Sequence, residues 1–193
     1  MTTAGGGWTL AMRTMKEGDS FNYMSPHWTT DTVMNEINLA DGGFDASEAK
    51  FTAFNVVAHS EILVKHSSGR FSQLGMSRVA SMLDLFNGPV TRLDVISGER
   101  SPQILMSGGS STVCGAAWRT NSGGSGGLHK VRLGGFFSST WSCDYGNDSA
   151  GNPTSAEQAG LGLWDNHWAP MRTTVRLSAS PPMFLLSAVC HLV

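Results

Sequence analysis

Gly5-Gly6-Gly7-Trp8-Thr9-Leu10-Ala11-Met12-Arg13 is the stretch on which the fold turns. It reads as a glycine turn feeding a strand whose apolar positions alternate. Working outward, Phe21–Trp28 is an aromatic-rich loop broken by Pro26, and Thr29–Ile37 is expected to begin a short helix capped by Thr29, Thr30 or Asp31. Asp41-Gly42-Gly43 signals a turn, and Ser47–Phe54 fits a short capped helix or turn. Asn55–Val64 is strand-like, whereas Met76–Phe86 places Val79, Met82, Leu83 and Phe86 at helical spacing before Asn87-Gly88-Pro89 closes it. The C-terminal half is loop-rich, over Ser107–Thr112, Asn121–Gly127 and Asp144–Gly160. Short strands are expected there at Lys130–Phe137, Thr173–Leu177 and Met183–Val193. The pattern is α+β, poor in helix and without an internal repeat.

Length suits one domain over residues 1–193, and a chain of this size can bury a substantial core. Hydrophobic residues make up 40% and charged residues 15%, with a net charge of −2. That balance excludes a disordered chain and gives no electrostatic case for nucleic acid. The 23 glycines point to turns and irregular loops rather than bundles. No apolar run reaches the roughly 18 residues a membrane span needs. Met1 runs directly into domain-like sequence with no leader pattern, so the chain reads as a fragment of a longer protein.

The chemistry concentrates between residues 144 and 168. Calcium takes about six to eight oxygen ligands from flexible loops. Asp144, Asn147, Asp148 and Asn152 lie within nine residues of one another, with Glu157 and Asp165 near enough in sequence to complete a shell. The plain alternative is a solvated loop of turn formers whose Asn and Asp side chains bond their own backbone. Asn147-Asp148-Ser149 is also a glycosylation sequon. Trp164-Asp165-Asn166-His167-Trp168 joins aromatic faces, which pack on pyranose C–H groups, to planar polar groups that fix hydroxyls. Trp164, Asn166, His167 and Trp168 are therefore the candidate ligand-binding residues, against the alternative of two Trp anchoring a loop. Trp8, Trp28 and Trp118 read as core.

Cys114, Cys143 and Cys190 are an odd set without zinc-site spacing. A Cys114–Cys143 bridge is the preferred pairing, closing a loop of about thirty residues for about 3 kcal/mol in an oxidising compartment. In a reducing one all three are buried thiols. Gly123-Gly124-Ser125-Gly126-Gly127 matches the hydrolase elbow in letters, but polar residues precede it and a strand pattern follows, where the elbow needs a strand and then a helix. The six histidines show no metalloprotease spacing, and no nucleophile, base and orienter can be assembled. The chain reads as a non-enzyme.

Three stretches resemble the fibrinogen-related, intelectin-like recognition domains. Met1–Leu10 is similar to that family's Gly-Gly-Gly-Trp-Thr strand with the preceding Cys-Asp removed. Phe21–Thr29 resembles its aromatic loop ending in Trp-Thr, and Lys130–Leu163 resembles the second half of intelectin-like members. The family's Asp-x-Asp calcium signature is absent, and its cysteine pattern is thinner here. The resemblance implies a twisted, mainly antiparallel sheet with few short helices and long loops in the C-terminal half. It implies a secreted or surface-exposed lectin in which bound calcium coordinates vicinal hydroxyls of a glycan or cell-surface glycoprotein. The expected function is calcium-assisted carbohydrate binding through residues 144–168, in a homo-oligomer or larger fibre. The alternative is a protein–protein adhesion or structural domain of an extracellular or viral fibre without sugar binding.

Overall fold

The computed structural model describes residues 7–15, 20–36, 47–100, 102, 105, 118–123, 130–138, 156–163 and 172–179. Among them, besides a 3-10 turn at Pro26–Trp28 and helical backbone at Pro102 and Leu105, are nine strands and two short α-helices. In chain order these are β1 (Trp8–Met15), β2 (Ala49–Lys50), α1 (Thr52–Val56), β3 (His59–His66), β4 (Phe71–Val79), α2 (Met82–Asn87), β5 (Thr91–Gly98), β6 (Trp118–Gly123), β7 (Lys130–Ser138), β8 (Ala156–Leu163) and β9 (Arg172–Ala179). The strands are ordered β2-β1-β9-β3-β4-β5-β6-β7-β8, and every pairing is antiparallel. The expected α+β class with a mainly antiparallel sheet and few short helices is what the chain forms.

β9 is the keystone. It lies between β1 and β3, so the last described strand joins the first to the middle of the chain. Val175 faces Met12 on one side and Val64 on the other, and Leu177 faces Ile62, which in turn faces Leu74. These residues are all essentially inaccessible and lie in a single hydrophobic cluster. Thr173 through Leu177 are buried on both faces of the strand.

The sheet cannot be flat. Only residues 164–171 separate Leu163 from Arg172, a reach of at most about 31 Å. In a flat sheet β8 and β9 would stand six strand spacings apart, about 29 Å. The two residues also sit at opposite ends in register, which adds a strand length of about 24 Å. Curling closes the gap, and β5 is where it occurs: Thr91–Leu93 pair with β6, while Asp94–Gly98 pair with β4. A strand that changes partners halfway is the usual way to turn a sheet corner.

The curl encloses one core fed by both parts of the sheet, including Leu93, Trp118, Leu133 and Leu161 from β5 to β8. Aromatic side chains close its floor. Phe86 stacks on Phe54 at 5.8 Å and meets Trp28 edge-on at 4.8 Å, and Phe21 meets Trp28 edge-on at 5.4 Å. Each such ring fully removed from water contributes roughly 1.5–3 kcal/mol. Trp28 Nε1 donates to the Asn22 carbonyl at 2.9 Å, so its polar edge is satisfied. Trp28 and Trp118 are core, as expected; Trp8 is half-buried.

Several local expectations need correction. Among residues 29–36 there is no helix. The chain makes one 3-10 turn, Pro26–Trp28, and then extends so that Met34 bridges Lys50. Ser25 caps that turn by accepting from the His27 N–H, and Pro26 fixes its first residue, so the helix signal was spent before Thr29. Val79 ends β4 rather than belonging to the following helix, which begins only at Met82. Ser81 caps that helix in both directions, accepting from Asp84 N–H and donating to its carboxylate. α1 has no cap from its own Phe51; the Glu36 carboxylate accepts from the Thr52 N–H and hydroxyl at 2.7 and 2.9 Å instead. Met183–Val193 lies outside the described residues.

Candidate functional site

Asp144, Asn147, Asp148 and Asp165, together with Trp164, Asn166, His167 and Trp168, lie outside the described residues, as do Cys114, Cys143 and Cys190. Glu157 does not sit in a loop. Its backbone belongs to β8, paired with Phe137 one step inside the end of the β7–β8 ladder. What the structure defines is how the expected site is anchored. Residues 139–155 connect Ser138 to Ala156, which face each other at one end of that ladder. Residues 164–171 begin after Leu163, which faces Val131 at the other end. Glu157 and Leu163 are six residues apart on an extended strand, about 20 Å. The oxygen-rich segment and the Trp-Asp-Asn-His-Trp segment therefore leave the sheet from opposite ends of β8.

At the Leu163 end the frame presents a cationic and aromatic cluster. Tyr23 carries the Arg132 guanidinium at 4.4 Å over its ring and Lys130 Nζ at 5.5 Å. Arg132 Nε donates to the Tyr23 carbonyl and Nη1 to Asn121 Oδ1, both at 2.9 Å. Burial pushes the Arg132 pKa down, partly offset by Tyr23. Asn121 sits at φ +51 and aims its amide at the end of α2, donating to the Phe86 and Gly88 carbonyls at 2.9 and 3.1 Å and more weakly to Leu85. α2 ends on Gly88 in an extended conformation, so its last carbonyls need partners from elsewhere, and Asn121 supplies them.

On the opposite side, cations anchor the segments that cross from β1 to β3. Arg13 donates to Ser47 through both its carbonyl and its hydroxyl, and the Glu48 carboxylate accepts from the Met15 and Ser20 N–H groups. Lys50 is fully buried, donates to the Thr30 carbonyl and lies 4.5 Å over the Phe54 ring. Burial lowers its pKa to about 8 against the pull of Asp31. These contacts hold loops in place; none aligns a nucleophile with a base.

Among the described residues no three His, Cys, Asp or Glu side chains cluster as a metal site, and no helix is long and apolar enough to cross a membrane. The elbow-like Gly123–Gly127 run begins at the last residue of β6, and the next described element is its antiparallel neighbour β7 rather than the helix an elbow needs. Lys50, Asn121 and Arg132 escaped sequence reasoning because each has a hydrogen-bond partner more than ten residues away, and Asn121–Gly123, read as the start of a loop, are the last residues of β6. A scan of protein-family models and searches of curated proteins and of solved structures returned no match for the chain.

Proposed function

We propose that this chain is an extracellular, non-enzymatic recognition module of the fibrinogen-related, intelectin-like kind, binding carbohydrate with the help of calcium through residues 144–168. The observation that supports this reading is the β7–β8 hairpin. Seven register pairs form its stem, and the connection carried on it, 139–155, is 17 residues long. Connections above about 12–15 residues in compact domains are uncommon and are usually either functional or linker-like, because ordering so much chain costs conformational entropy. This one contains Asp144, Asn147 and Asp148, and Glu157 is the second residue of the stem strand that follows it. Oxygen ligands from a connecting segment together with one strand carboxylate are a donor set that calcium takes. Trp164, Asn166, His167 and Trp168 would supply the faces and planar polar groups that read the sugar, and the 139–155 connection would have to reach back along β8 for Asp165 to join the calcium shell.

The test is a glycan array run on the intact chain with calcium and with a chelator, alongside metal analysis of the purified protein. Chelator-sensitive binding to at least one glycan, reduced at least tenfold in Asp148→Ala and in Trp164→Ala, is the expected result. Absence of chelator-sensitive sugar binding would overturn the proposal and leave adhesion to a protein partner as the better reading.

A further inference from the structure

The core face of the sheet changes character within one row. Across β1, β9 and β3 the row Met12, Val175, Val64 is apolar. The next row is Thr14, Thr173, His66: Thr173 faces Thr14 on one side and His66 on the other. Side chains two residues apart on a strand share a face, so this row continues the core rather than the solvent side. Thr14 is 5%, Thr173 0% and His66 6% exposed. Thr14 Oγ1, Thr173 Oγ1 and His66 Nε2 are all buried without a hydrogen-bond partner. Leaving such a group unmet costs about 1–3 kcal/mol, so three in one row call for a partner that the protein atoms do not supply.

We propose that Thr14, Thr173 and His66 form an internal hydration site, in which ordered water links β1, β9 and β3. The ring chemistry selects the occupant. His66 Nδ1 lies 2.8 Å from Ser68 Oγ, which can donate or accept, and 3.1 Å from the Ser68 N–H, which can only donate; Nδ1 is therefore assigned as the acceptor and the ring proton to Nε2. A protonated Nε2 cannot ligate a metal; it needs an acceptor. The three groups are neutral, and neutral water matches them better than a buried ion, for which only the half-buried Arg70 lies near His66. Water accepts from Nε2–H and exchanges hydrogen bonds with both hydroxyls, within the two to four partners a buried water takes. Cross-strand neighbours stand roughly 4.5–5.5 Å apart at Cβ, a spacing that one or two waters span. Burial, reinforced by Arg70, lowers the pKa of His66 and keeps the ring in the neutral form this arrangement uses. The row also lies one residue inside the point where 164–171 rejoins the sheet, so the site braces the attachment of that segment.

Thr173→Val is nearly isosteric and decides the matter. With water present, the valine strips it of a partner, and the folding equilibrium constant measured in urea falls about five- to tenfold. Without water, the valine merely removes an unmet hydroxyl, and the protein becomes as stable or more so, which would overturn the proposal. Nitrogen–proton correlation spectra of the unmodified protein test it independently of folding. The expected result is a His66 ring protonated at Nε2, with exchange-resistant cross-peaks to long-lived water; an Nδ1-protonated ring without water contacts refutes it.

Discussion

Asn121 shows how much one side chain can hold. Its amide closes the last carbonyls of α2, its carbonyl receives Arg132, and Arg132 in turn clamps the Tyr23 loop. It also occupies left-handed backbone, at φ +51, which Asn tolerates and most residues do not. Asn121→Ala loses the bonds and adds backbone strain, so a destabilisation of about 2–4 kcal/mol is expected. Asn121→Gly loses the same bonds without the strain and costs about 1 kcal/mol less. Urea midpoints of the two variants check the order, and equal losses would show that the bonds alone matter. The reading of Asn121 as the start of a loop missed this, because its partners are more than thirty residues away.

At the scale of elements, two glycines with similar backbone separate strain from space. Gly69, in the turn between β3 and β4, has φ +90 and nothing within 4 Å of where a Cβ would stand. Gly98, ending β5, has φ +85, but a Cβ there would lie 2.2 Å from the Phe71 carbonyl oxygen. Gly69→Ala should therefore cost only the conformational strain, about 1–2 kcal/mol. Gly98→Ala adds a backbone collision that only parting β4 from β5 relieves, and should cost more than about 3 kcal/mol. Thermal melts of the pair give the comparison directly. The contrast is invisible in sequence, where both are simply glycines after polar residues. β1 and β7, by comparison, are legible from period-two patterning. The boundary between β4 and α2 is not, because Val79, Met82 and Phe86 bury toward one core whichever element carries them.

At the scale of the molecule, the buried bases among the described residues contribute to the response to pH. His59 and His66 stand at the two ends of β3, and burial holds the pKa of both below the ordinary value of 6.5. Their neutral forms are favoured in the fold, so the stability they contribute is fully present above about 6.5 and is lost as pH falls through the folded values. Lys50 acts in the same sense higher up: between about 8 and its ordinary 10.5 the unfolded chain holds the extra proton, and stability rises with pH. Unfolding free energy measured from pH 4 to 8 should climb, with a shallower slope in His59→Gln; an unchanged slope in that variant would show that His59 is not among the groups responsible. The α+β class, the short strands and the buried Trp28 and Trp118 were determined by the sequence alone, since each rests on composition or local period; the oxygen-rich and Trp-rich segments are sequence expectations that lie outside the described residues. That β9 inserts between β1 and β3, that β8 holds Glu157 while its two flanking segments leave from opposite ends, and that Thr14, Thr173 and His66 meet in one buried row were decided only by tertiary structure. Strand order joins residues more than a hundred positions apart, and no local pattern of side chains encodes which strand becomes whose neighbour.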